Sequence, residues 1–144
     1  MNISIRIPDF KTVFLLLALQ ISATNLLAAK RIKIIFKDSD SSRILGKLIL
    51  SGDTTRTKYT LRLKKRPSHI EHTLLLTGGT CQQPSASTSL ISKIVANGHG
   101  KVYSKGFILF RGKENIPLNS ITDGQHALRI EWENHVSCAV IPRV

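Results

Sequence analysis

From residue 31 onward apolar and polar residues alternate with a period of two, and turn residues interrupt the pattern at short intervals. Such alternation places successive side chains on opposite faces of extended strands, so it predicts an all-β sandwich or barrel. Arg31–Lys37 sets Ile32, Ile34 and Phe36 against Arg31, Lys33 and Lys37, and the turn cluster Asp38-Ser-Asp-Ser-Ser42 ends it. Ile44–Leu50 forms a second strand, in which Gly46 marks a bulge or a close approach. Thr57–Lys64 alternates most cleanly, with Tyr59, Leu61 and Leu63 opposite Lys58, Thr60, Arg62 and Lys64. Ile70–Thr77 turns Leu74 and Leu76 toward the core, and Leu75 and Thr77 away from it. Gln82–Ser89 is small and polar and reads as a surface loop. Leu90–Ala96 and Lys101–Phe110 are expected to run out and back about the hairpin signal Asn97-Gly98, with Phe107, Ile108, Leu109 and Phe110 mostly buried. Arg111–Ser120, which contains Pro117, reads as a connection. After the turn at Asp123-Gly124, His126–Trp132 points Leu128, Ile130 and Trp132 inward and Arg129 and Glu131 outward.

The first 29 residues follow a different rule. Arg6 and Lys11 precede the apolar run Val13–Leu19 and Ile21–Ala23, and small residues follow at Ala28 and Ala29. This is the layout of an export signal, with cleavage expected near Ala29. The alternative is an uncleaved anchor, but Gln20, Thr24 and Asn25 interrupt the roughly 20 apolar residues that a span requires. Residues 30–144 are then one domain of ordinary size, exported to a periplasm or secreted, with no further membrane span.

The whole chain carries a formal charge of +12. Removing Arg6, Lys11 and Asp9 with the leader takes away two cations and one acid, which leaves +11. The densest basic run is Lys58–Arg66, where Lys58, Arg62 and Lys64 share a strand face and Lys65 and Arg66 continue into the loop. A stripe of this kind can track a polyanion; it can equally guard an exposed strand against edge-to-edge pairing. Stacking aromatics are scarce, so no nucleic-acid motif is evident, and the expected partner is an unidentified protein or an acidic surface. There is no Gly-x-Ser-x-Gly elbow, and Gly78-Gly79 lacks the strand-to-helix setting of a phosphate loop. Five histidines are present, and surface positions account for them better than a metal site, since His69 and His72 would point to opposite faces of a strand.

One stretch adds a family resemblance. Thr73-Leu-Leu-Leu-Thr-Gly-Gly-Thr-Cys81 is an apolar strand running into Gly-x-Cys, answered by Val136-Ser-Cys-Ala-Val-Ile141 near the end of the chain. With Ser42-x-x-x-Gly46-x-Leu48 ahead of it, this order resembles the copper/zinc superoxide dismutase-like proteins. The resemblance implies a Greek-key, Ig-like β-sandwich or barrel. It also implies that Cys81 and Cys138, the two cysteines of the chain, are bonded to each other, which an oxidising compartment would permit. In that family the first strand reads His-x-His-x-Gly-x-Cys and its histidines hold copper; Leu75 and Thr77 stand at those places here. A later strand of the family ends in a histidine ligand where this chain has Glu131, and the arginine that attracts the anionic substrate is matched by His135. The family's zinc loop carries histidines and aspartate, whereas no His, Asp or Glu occurs between Cys81 and Gly98. The expected protein is therefore a non-enzymatic binding or envelope module, with no catalytic residue, metal or cofactor. The alternatives are a residual copper- or zinc-binding protein using other histidines, and a secreted polyanion-binding protein.

Overall fold

The computed structural model describes residues 30–144, so the expected leader lies outside the described residues. Ten strands form: β1 (Lys30–Lys37), β2 (Ile44–Gly52), β3 (Thr57–Leu63), β4 (Glu71–Gly79), β5 (Pro84–Val95), β6 (Val102–Phe107), β7 (Leu109–Phe110), β8 (Glu114–Asn115), β9 (His126–Trp132) and β10 (His135–Val140). Two four-stranded antiparallel sheets face each other, ordered β1-β2-β3-β6 and β10-β9-β4-β5, while β7 and β8 form a small ribbon beside them. The chain changes sheet after β3, after β5 and again between β6 and β9, as a Greek key does. The sheets stay open, so the fold is a sandwich rather than a barrel. Side chains bridge its seams: Ser137 Oγ donates to the Lys37 carbonyl at 2.6 Å, and the Ser92 and Ser104 hydroxyls lie 3.4 Å apart.

The period-two pattern supplies the core directly. Ile32, Ile34 and Phe36 from β1 meet Leu48 and Leu50 from β2, with Tyr59, Leu61 and Leu63 from β3, all buried. Leu74, Leu76, Leu128 and Ile130 close the layer from the opposite sheet. Each fully buried leucine stabilises the fold by about 1.5–3 kcal/mol relative to exposure. Gly46 pairs with both Phe36 and Leu63, and a Cβ there would run into the Arg62 carbonyl and the Leu63 backbone. The register between β1 and β2 shifts at this point, which lets Leu45 drop into the core.

Four local expectations need correction. Gln82–Ser89 is not a loop, because β5 begins at Pro84 and pairs with β4 through Thr77↔Thr88 and Leu76↔Ser89. Main-chain bonds hold this edge strand, so its side chains can stay small and polar. Asn97-Gly98 does not close a hairpin: β5 belongs with β4 and β6 with β3, and the turn carries the chain between sheets. Asn97 anchors that turn by accepting from the Lys101 and His99 amides through its side chain. Of Phe107–Phe110 only Ile108 is buried, whereas Phe107 is 40% exposed on the outer face. The connection Arg111–Ser120 holds β8 and a short 3-10 turn at Leu118–Ser120. Among the described residues no helix is long and apolar enough to cross a membrane.

Candidate functional site

The outer face of the second sheet holds the positions that the resemblance matches to metal ligands. Leu75, Arg129 and Cys138 stand abreast on β4, β9 and β10, with Thr73, Glu131 and Val136 in one adjacent row and Thr77, Ala127 and Val140 in the other. Thr77 points away from the core as expected, yet it is only 1% exposed. Its hydroxyl donates to the Ala127 carbonyl at 3.3 Å. Glu131 accepts an ion pair from Arg129 at 2.9 Å. Leu75 offers no donor atom. The disulfide between Cys81 and Cys138 forms, with Cα atoms 5.8 Å apart, and ties the turn after β4 to β10 beside this row.

These residues do not suit copper or zinc. A hydrocarbon, a committed hydroxyl and a carboxylate neutralised by a guanidinium replace the imidazoles that such metals favour. Among the described residues, no three His, Cys, Asp or Glu side chains come together in a way that could hold a metal ion. The histidines are scattered. His69 and His99 are exposed in loops, and His126 pairs with Asp123 at 2.9 Å. His135, matched to the family's arginine, stacks on Trp132 with centroids 5.5 Å apart and faces away from Leu75 and Glu131.

His72 is not a surface histidine; it is fully buried. It shares the inward side of β4 with Leu74 and Leu76 and stacks on Trp132 at 5.6 Å. Nor does Arg66 belong to an exposed stripe. It is 7% exposed, and its guanidinium lies 4.9 Å from the Trp132 ring centroid. Lys65 takes the left-handed conformation, with φ 55°, and this turns the chain so that Arg66 enters the sandwich end. The Arg66 amide then donates to the Gly100 carbonyl at 2.9 Å. Its Nη2 donates to the Lys65 carbonyl at 3.2 Å. Burial pulls the Arg66 pKa down and nearby Arg43 adds to this, while Asp38 opposes it.

Burial also holds the His72 pKa below 6.5; the Ile70 hydrogen bond opposes that shift, Arg66 reinforces it and Glu133 opposes it. Nδ1–H donates to the Ile70 carbonyl at 3.0 Å, which leaves the Nε2 lone pair without a partner. Protonation would therefore add an uncompensated charge beside Arg66. Because the folded value lies below the unfolded one, the stability is full above about pH 6.5 and falls as pH drops through the lowered folded value. The slope reaches at most about 1.4 kcal/mol per pH unit. Urea unfolding at pH 7.5 and pH 5 should show this loss, and His72→Leu should flatten it; an unchanged slope in the variant would remove His72 as its source. Asp53 and Asp123, held below the ordinary carboxylate range by hydrogen bonds from Thr55 and His126 respectively, titrate in a separate and lower window.

Six other basic residues lie on the outer face of the first sheet. Three cross-strand rows can be read from the register: Arg31, Ser51, Lys58 and Phe107; Lys33, Ile49, Thr60 and Lys105; Ile35, Lys47, Arg62 and Tyr103. These rows contain six cations and no carboxylate. The opposite sheet pairs its cations instead, Lys93 with Glu71 at 3.0 Å and Arg129 with Glu131. The sequence pattern picks out Lys58 and Arg62 but not their lateral neighbours, because strand order is not written in one strand, and Lys64 follows the end of β3.

Two open four-stranded sheets in this order, with one disulfide joining the turn after β4 to the last strand, make a β-sandwich of the copper/zinc superoxide dismutase type. The structure is similar to that of the Cu/Zn superoxide dismutase from Brucella abortus, with a TM-score of 0.54 over 78% of this chain and 99% of that one. The two sequences are 11% identical, so the likeness is one of fold. No family model matches the sequence, and no curated protein matches it either.

Proposed function

We propose that this chain is an exported, non-enzymatic binding module that keeps the dismutase-type scaffold and works from its basic sheet face toward an acidic partner. One observation carries the non-enzymatic part: across β4 and β9 the matched positions hold Leu75, the committed Thr77 hydroxyl and the ion-paired Glu131. Dismutation needs a metal that alternates between two oxidation states in a fixed imidazole set, and Arg129 would place a repelling charge in the middle of that set. The core uses the inward sides of the same strands, so the scaffold survives loss of the outward chemistry. The disulfide is compatible with export. Protein refolded with copper and zinc and then desalted should carry neither metal stoichiometrically and dismute superoxide only at background rate. Stoichiometric copper, with activity abolished by mutating His69, His72 or His126, would defeat the reading.

A further inference from the structure

We propose that a groove at one end of the basic sheet binds the phosphorylated headgroup region of an anionic lipid surface, a proposal that rests on the binding-module reading. The groove has a volume of about 500 Å³ and lies over β1, β2 and β3 where the register of β1 against β2 shifts. Ile35 and Ile44 supply apolar surface within it. Ile44 is 65% exposed and adjoins Ile35 in the groove, so the two form a small apolar patch. Lys33, Lys47, Arg62 and Lys64 stand around these two residues. None of the four has a carboxylate within 4.0 Å among the described residues, whereas Arg43 at the rim is held by Asp38 at 3.6 Å.

Cations without a carboxylate partner around exposed aliphatic surface match an amphiphile that carries phosphate beside hydrocarbon. A wholly polar chain such as a sulfated glycan would satisfy the cations but would leave Ile35 and Ile44 facing water or sugar hydroxyls. Single-stranded nucleic acid would need free aromatic platforms. The two exposed rings on this face already carry cations, Tyr103 with Arg62 at 5.6 Å and Phe107 with Arg56 at 5.2 Å. The face is also broad and sheet-like, roughly 14 Å across four strands at ~4.8 Å spacing, which suits a plane better than a thread. Each lysine or arginine near an anionic membrane adds attraction that fades within a Debye length.

The test is sedimentation of the purified, disulfide-intact protein with mixed phosphatidylglycerol–phosphatidylcholine vesicles and with phosphatidylcholine vesicles alone. Binding to the mixed vesicles only, falling steeply with salt, is expected. Lys47→Gln with Lys64→Gln should weaken it about 30-fold. Ile44→Ser should weaken it about fivefold while leaving retention on heparin unchanged. All three positions are exposed, so these variants should unfold in urea like the parent. An Ile44→Ser variant with full vesicle binding, or a lysine pair that lowers heparin and vesicle binding alike with no contribution from Ile44, would reduce the groove to a general polyanion surface and overturn the proposal. Vesicle binding that none of these changes alters would overturn it as well. Either failure leaves the non-enzymatic reading standing, since only copper-dependent activity defeats that.

Discussion

Replacing Cys81 and Cys138 together by serine should lower stability by about 4 kcal/mol, the chain-entropy value for closing a loop of this length. The two cysteines are 57 positions apart, so the cross-link restricts a large part of the unfolded chain. The native state gives the bond a second use. β10 is an edge strand that pairs only with β9, and the turn at Thr80–Gln83 is held by the Thr80 amide donating to the Gln83 carbonyl and by the Gln83 amide donating to Thr80 Oγ1. The disulfide fastens both to the same face. A domain of this size has about 5–15 kcal/mol in all, so the double variant should unfold at markedly lower denaturant, with a steeper slope because its unfolded chain is no longer cross-linked. Chemical reduction of the parent should give a similar loss. A change below about 1 kcal/mol in both experiments would mean that the loop-closure argument does not apply to this chain.

The parts of the fold legible in the sequence are those that one strand can report alone. Alternation in Arg31–Lys37 and Thr57–Lys64 identified the inward residues of β1 and β3, because each side chain's face follows from its parity. The end of β9 was equally readable, with Leu128, Ile130 and Trp132 buried and Arg129 and Glu131 turned outward. β5 was half missed because Pro84–Ser89 carries no alternation; its pairing is written in the backbone and in β4. Burial of His72 was within reach of the same parity argument, since it precedes Leu74 and Leu76 by even steps on β4. Arg66 was beyond reach: its burial depends on a left-handed Lys65 and on the approach of Gly100 from a distant turn. The basic face likewise needed the order β1-β2-β3-β6 before Lys33, Lys47, Arg62 and Lys105 could be seen as neighbours.

Trp132→Ala should be as damaging as loss of the disulfide, with an expected destabilisation of about 3–5 kcal/mol for truncating a large buried aromatic. Trp132 closes one end of the sandwich, where it lies against His72 at 5.6 Å and His135 at 5.5 Å with the Arg66 guanidinium 4.9 Å from its centroid. Removing the indole leaves more than a void. Arg66 keeps its charge in proteins of any ordinary pH, and without the ring its remaining partners are backbone carbonyls of Lys64 and Lys65. A desolvated cation–π contact of this kind is worth up to about 2 kcal/mol. Trp132→Phe keeps a smaller ring beneath the guanidinium, so it should recover a large part of the loss. Arg66→Leu in the Trp132→Ala background should be milder than in the parent, because the charge it removes has then lost its platform. Trp132 is the single tryptophan of the chain, so unfolding must be followed by circular dichroism rather than by its fluorescence. Strict additivity of the Arg66 and Trp132 changes would show that the two pack side by side without coupling, and a loss below about 1 kcal/mol for Trp132→Ala would show that this end of the sandwich is already open.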